Sequence, residues 1–230
     1  MMAKGLKHYV SLFSQCPETS TILMDATPKY MLYPENVRKI YDEHGTTDSL
    51  KIMFTLREPV QRELSWYSHL VREARSRRPA SWANEVLNVS TGNELTFSEY
   101  MDAVILPSME EGDPSNRGLY AHWLSKWFRL FDRRQIFIAS YDDFKRNETD
   151  FLMRLHAFLE LPETLPARKT PRSNGKKPIQ DTIPCEVQQA LAARYEDYND
   201  ELYALLASNP GPPMEKTPFR RFQFQCKNEF

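Results

Sequence analysis

Lys51-Ile52-Met53-Phe54-Thr55-Leu56-Arg57-Glu58-Pro59-Val60-Gln61-Arg62-Glu63-Leu64-Ser65-Trp66-Tyr67 is the stretch on which the fold turns. Its first six residues are apolar at almost every position, the pattern of a strand covered on both faces rather than of one that is half solvated. Arg57 and Glu58 end the run, and Pro59 suits the first position of a helix. A helix over Val60 to about Ala74 follows. Two further runs have the same form. Thr21-Ile22-Leu23-Met24 precedes Asp25-Ala26-Thr27-Pro28, and Gln135-Ile136-Phe137-Ile138-Ala139 precedes Ser140-Tyr141-Asp142-Asp143. Three apolar runs, each feeding a helical pattern, describe strand–helix units around a parallel sheet.

The helices show their inner faces. Leu119, Trp123, Trp127 and Phe131 recur every four residues and draw one apolar stripe. Val187, Leu191, Tyr195, Tyr198, Leu202 and Leu205 do the same on a long late helix opened by Pro184. Between about Leu161 and Pro184, five prolines and five basic residues indicate a loop. The stretch from Ser208 to Phe230 holds four prolines and no helical period, which reads as a tail laid across the domain. The expected organisation is one α/β domain over residues 1–207 and a tail over 208–230.

Composition narrows the function. The 230 residues carry 30 Lys plus Arg against 31 Asp plus Glu, a balance that argues against a nucleic-acid coat. A hydrophobic fraction of 41% supports a packed core. No apolar run approaches the roughly 18–20 residues of a membrane span. The N-terminal residues lack a signal-peptide pattern. Cys16, Cys185 and Cys226 form no C-x-x-C pair and are expected as ordinary thiols, with a disulfide the lesser alternative. Asn88-Val89-Ser90 and Asn147-Glu148-Thr149 are glycosylation acceptors compatible with a secretory setting. The glycines form neither a G-x-x-x-x-G-K-[ST] loop nor a G-x-G-x-x-G turn, and no H-E-x-x-H or G-x-S-x-G is present.

Ligands of open parallel sheets bind at the carboxyl ends of the strands. Asp25, Thr27, Arg57, Ser140 and Asp142 are therefore the first candidates. Arg57 can offer a planar fork of donors to a phosphate, with the Ser65 hydroxyl eight residues on adding a bond. The alternative is that Arg57 pairs with Glu58 or Asp142, and that Ser65 is plain helix surface. Arg168, Lys169, Arg172, Lys176 and Lys177 form a second candidate, an anion-attracting loop or simply a solvated one. Within it, Asn174-Gly175 permits a tight turn. His8, His44, His69, His122 and His156 are scattered and read as packing or surface residues.

The quoted stretch closely resembles the 3′-phosphate-binding segment of sulfotransferases, which use 3′-phosphoadenosine 5′-phosphosulfate (PAPS) as sulfonate donor. The resemblance implies that Arg57 and Ser65 hold the 3′-phosphate. Asp25-Ala26-Thr27-Pro28-Lys29-Tyr30 is similar to the family's acidic-x-[ST]-P-x-Y segment. Arg117-Gly118-Leu119-Tyr120 through Trp127 is similar to its G-x-Y-x-x-x-L-x-x-W helix, which implies Tyr120 as a cofactor residue. Ile136 through Phe144 resembles the strand ending in Y-E-D-L. Asn174, Gly175, Lys176 and Lys177 resemble the K-G-R loop of the heparan-sulfate type, which closes over the same end of the cofactor.

What the resemblance implies is a P-loop-NTPase-like α/β domain, with a central parallel sheet flanked by helices in three layers. Its first strand and phosphosulfate loop are expected to be missing, because the chain starts after the place where family members carry them. The implied activity is sulfonate transfer from PAPS to a hydroxyl or amine of a carbohydrate, leaving adenosine 3′,5′-bisphosphate and needing no metal. The catalytic residues stay unassigned, and a catalytically impaired domain that binds only the nucleotide or a protein partner remains the alternative. The chain as written would be cytoplasmic, or in the Golgi lumen if a longer parent carries an anchor. No nucleic-acid partner is implied. Arg72, Arg75, Arg77 and Arg78 could meet an acidic polysaccharide or form a solvated helix end.

Overall fold

The computed structural model describes residues 11, 13–16, 22–76, 80–87, 94–109, 113, 116–161 and 183–226. The chain divides into two compact units, Met1–Leu50 and Lys51–Phe230. In the first, a short 3₁₀ turn at Pro28–Leu32 leads into helix α1, Pro34–Glu43. Asp42 near its end accepts from Arg38 Nε at 2.7 Å and from Thr47 Oγ1 at 2.6 Å, closing the following turn. The strand expected at Thr21–Met24 is not found. Its described residues have no regular structure, and Ile22, Leu23 and Met24 are exposed. A strand exists only through the partner that takes its backbone hydrogen bonds, and none of the described residues pairs with this run.

Among its described residues the second unit holds two strands, β1 (Ile52–Leu56) and β2 (Ile136–Ser140), paired in parallel. The helices in chain order are α2 (Pro59–Ala74), α3 (Ser81–Val86), α4 (Phe97–Tyr100), α5 (Tyr120–Leu130), α6 (Tyr141–Arg146), α7 (Glu148–Phe158) and α8 (Cys185–Ser208). Side chains alternate across a sheet, so its two faces can be followed residue by residue. On one face, Phe54 meets Trp127 of α5 edge-on, with centroids 5.2 Å apart. On the other, Phe137 stacks on Phe158 of α7 at 5.3 Å, and Phe151 and Ala139 join the same cluster. Helix, sheet and helix make the three layers expected.

The two strands differ in burial. All of β2 is buried, but β1 alternates, with Met53 and Thr55 exposed. The expectation of full burial fails for β1 because α7 covers the Phe137 face of β2 and leaves the matching positions of β1 open. The Leu119–Trp123–Trp127–Phe131 stripe is buried throughout. Leu191, Tyr195 and Leu202 of α8 are buried as well, Leu191 and Tyr195 in one core with Val60, Leu64 and Leu70 of α2.

The far edge of β2 is closed by the C-terminal segment. Glu215 Oε2 accepts from the Ile138 N–H at 3.0 Å, and its Oε1 accepts from Arg133 Nη2 at 2.6 Å. Arg133 also donates to the carbonyls of Ile136 and Asn209. An ion pair thus takes the place of a third strand, supplying a backbone donor and a backbone acceptor with partners.

Cys185 and Cys226, expected as thiols, form a disulfide with Cα atoms 5.7 Å apart. Their sequence separation of 41 concealed the pairing, which exists because the tail returns to the start of α8. Closing a loop of that length restricts the unfolded chain by about 4 kcal/mol. Cys16 is free and exposed.

Glu215→Ala leaves the buried Ile138 N–H without its acceptor and takes the carboxylate from the part-buried Arg133, and should cost about 3–5 kcal/mol in urea unfolding. Leu124→Ala, a fully buried position under the sheet, should cost about 2–5 kcal/mol in the same measurement.

Candidate nucleotide-phosphate site

The site begins with strand register. Leu56 lies opposite Ser140, so β1 and β2 end level and release Arg57 and Tyr141 side by side. The Arg57 guanidinium lies over the Tyr141 ring at 5.4 Å. It makes no hydrogen bond or ion pair with the described residues, and Glu58 acts on it only at a distance, the Arg57 charge helping to hold the buried Glu58 carboxyl down. Asp142 is instead engaged by Lys145 at 2.8 Å. Ser140 caps α6 by accepting from the Asp142 N–H at 3.2 Å.

Glu58 has a different task. Its buried carboxylate accepts from the N–H groups of Val60 at 3.0 Å and Gln61 at 2.7 Å, capping α2. Burial pushes this carboxyl up from its ordinary range, and the Gln61 and Val60 N–H groups oppose the rise. A carboxylate therefore already fills the anion position at this helix start. An incoming phosphate at these strand ends must be held by side chains.

A cavity of about 670 Å³ opens at the strand ends. Arg57, Glu58, Gln61, Ser140, Asp142 and Lys145 form its strand-and-helix side. That volume falls within the roughly 300–1,000 Å³ usual for small-molecule sites. Gln61 Nε2 is buried without a hydrogen-bond partner among the described residues. Ser65 is half-buried one turn further along α2, on the same side as Gln61. Tyr120 is buried, and its hydroxyl donates to the Arg57 carbonyl at 2.8 Å, fixing the end of β1 from α5. Burial pushes that phenol up to about 12, so it remains a donor across the neutral range.

Behind the site, α2 carries a buried polar cluster. Arg62 contacts Glu63, and Tyr195 Oη lies 3.2 Å from Glu63 Oε1 and 3.1 Å from Asn116 Oδ1. Burial pushes the Glu63 carboxyl up, opposed by the Arg62 guanidinium. Gly118 lets the chain pass close against the Tyr195 ring. A Cβ would stand 3.0 Å from the Tyr195 ring. The G-x-Y spacing thus serves two contacts at once, ring packing at Gly118 and strand-end fixation at Tyr120.

The remaining candidates separate. Asp25 and Thr27 belong to the first unit, where Asp25 accepts from Thr27 Oγ1 at 2.8 Å and from Tyr30 Oη at 2.6 Å. Asn174, Gly175, Lys176 and Lys177, with the rest of the basic loop, lie outside the described residues. A second cavity of about 470 Å³ lies between Tyr67, Arg75, Phe97 and Val187. Its polar rim is already committed, with Arg75 forked onto Glu94 at 2.7 and 3.0 Å and Tyr67 donating to the Leu95 carbonyl. Several contributors to the main cavity escaped the sequence reading: Gln61, Lys145 and Arg146, and most of the tail from Arg220 onward. The Arg220-Arg221 pair in a proline-broken tail was the available signal.

Known proteins resemble this chain in sequence and fold. The sulfotransferase domain family matches residues 36–178. The bifunctional heparan sulfate N-deacetylase/N-sulfotransferase 1 of Caenorhabditis briggsae is 27% identical over 161 residues, covering 70% of this chain and 17% of that protein. Its counterpart from Caenorhabditis elegans is 25% identical over 160 residues, with the same coverages of 70% and 17%. The chain therefore spans about a sixth of the length of these relatives. A crystal structure of a sulfotransferase from Alicyclobacillus acidocaldarius shares the fold, with a TM-score of 0.58 and 23% identity over 87% of this chain and 70% of that one. No helix among the described residues is long and apolar enough to cross a membrane, and no cluster of metal-binding side chains is found among them. With its level strand ends, its unpaired strand-end arginine and a domain match over more than half its length, the chain belongs to the sulfotransferase family.

Proposed function

We propose that this chain moves a sulfonate group from PAPS to a hydroxyl or amine of a carbohydrate. The observation that carries the reading is the Arg57 guanidinium, without a hydrogen bond or ion pair among the described residues, in a cavity at the strand ends beside the buried Gln61 Nε2. Two donors without acceptors among the described residues, one of them buried, suit a phosphate group. Arg57 and Ser65 hold the 3′-phosphate in this reading, and Gln61 adds a neutral donor. Tyr120 acts from behind by locking the Arg57 backbone. Asn174, Gly175, Lys176 and Lys177 close over the same phosphate.

PAPS, when bound, supplies a sulfonate on an anhydride to phosphate. That bond breaks as the acceptor oxygen or nitrogen bonds to sulfur and loses its proton, and adenosine 3′,5′-bisphosphate departs. The contribution of the residues named here is to hold the far end of the nucleotide, so that its reacting end is presented in one orientation. The carbohydrate acceptor is supported by the N-sulfotransferase names of the two nematode relatives. An oxidising lumen such as the Golgi is supported by the Cys185–Cys226 disulfide, since such bonds persist outside reducing compartments.

The test is calorimetric titration with adenosine 3′,5′-bisphosphate, followed by transfer of labelled sulfonate from PAPS to a panel of glycans. Saturable binding is expected, and its absence would sink the reading. Arg57→Ala should weaken binding about ten- to hundredfold, the loss expected for hydrogen bonds to a charged group. Tyr120→Phe removes one hydrogen bond and should cost about 1 kcal/mol of stability, with a smaller loss of nucleotide affinity than Arg57→Ala.

A further inference from the structure

The C-terminal segment forms one wall of the cavity, through Arg220, Arg221, Phe222, Gln223, Gln225 and Cys226. Three anchors hold it against α8 and α5. Arg221 Nη1 donates to Asp200 Oδ1 at 2.7 Å, and its guanidinium lies over the Tyr203 ring at 4.7 Å. The Phe222 N–H donates to Tyr203 Oη at 2.7 Å, while the Phe222 ring packs 6.1 Å from that of Tyr120. Four residues on, Cys226 is bonded to Cys185 at the start of α8.

The other basic residues of the cavity are already paired. Lys145 lies 2.8 Å from Asp142, Arg146 lies 3.1 Å from Asp143, and Arg221 engages Asp200. Arg220 is half-buried and makes no hydrogen bond or ion pair with the described residues. Arg57 shares that condition on the opposite branch of the chain. Two unpaired guanidinium groups on one cavity repel each other, and a doubly charged phosphate placed between them reverses the sign of that interaction.

We propose that Arg220 is a second phosphate ligand of this cavity, and that the Cys185–Cys226 disulfide holds it in reach of the nucleotide. The inference rests on the nucleotide reading above, and adds a ligand and a tether to it. It makes the affinity for a nucleoside 3′-phosphate depend on a covalent bond in the tail-side wall of the cavity. Dithiothreitol supplies the two electrons and two protons that turn the bridge into two thiols, and leaves as its own cyclic disulfide.

The experiment compares adenosine 3′,5′-bisphosphate binding by the oxidised protein, Arg220→Gln, Arg220→Lys, Arg57→Ala and the paired Cys185→Ser, Cys226→Ser variant. Melting temperatures are recorded alongside. Arg220→Gln should bind about tenfold more weakly at an unchanged melting temperature, and Arg220→Lys should recover most of that loss, as expected of a charge on the ligand. Reduction of the native protein, or the paired serine variant, should weaken binding by a similar factor. If Arg57→Ala loses affinity while Arg220→Gln binds like the native protein, the inference is overturned and the nucleotide reading stands. If the native protein does not bind at all, the nucleotide reading itself is wrong. Undiminished binding after complete reduction overturns the tether. Should the serine variant fail to fold, the Arg220 arms in the oxidised protein still decide the ligand.

Discussion

Everything in the second unit depends on a parallel pairing between two five-residue strands that lie far apart in the chain. Parallel strands require a long crossover, and among its described residues are the α-helices α2 to α5. Once Ile52 to Leu56 align with Ile136 to Ser140, the ends of both strands open at one level. Slipping the register by one residue would move Phe54 and Ile138 to the wrong face and separate Arg57 from Tyr141. The alignment that buries the core is therefore also the one that assembles the site.

The sheet is narrow, and its stability comes from what covers it. Trp127 covers one face and Phe158 the other. The outer edge of β2 is met by Glu215 and Arg133 rather than by another strand. The same C-terminal segment then runs on past α8 to wall the cavity before the disulfide ties it down. One piece of irregular chain thus closes a sheet edge and shapes a binding surface, so fold stability and site geometry are coupled through the tail.

The local readings that succeeded rest on periodicity. The stripe from Leu119 to Phe131 and the face of α8 followed from spacing alone, because a helix repeats regardless of what it packs against. The run Ile22–Met24 has similar composition to β1 yet forms no strand, because strand formation depends on a partner rather than on its own residues. The burial of β1 was overestimated for a related reason. Its apolar residues record what the segment tolerates, while the position of α7 determines which face is covered.

By itself, the sequence determined the strand–turn–helix unit around Arg57, the helical faces and the family to which they point. These features arise from contacts within a few residues, and short-range order is written in spacing. Only the tertiary structure decided that Arg57 stays unpaired, that Glu58 caps its own helix, that Tyr120 holds the Arg57 carbonyl and that Cys226 finds Cys185. Each joins groups whose meeting depends on the path of the whole chain, or on competition among several nearby charges. Charge and composition name the possible partners, and the packed geometry selects among them.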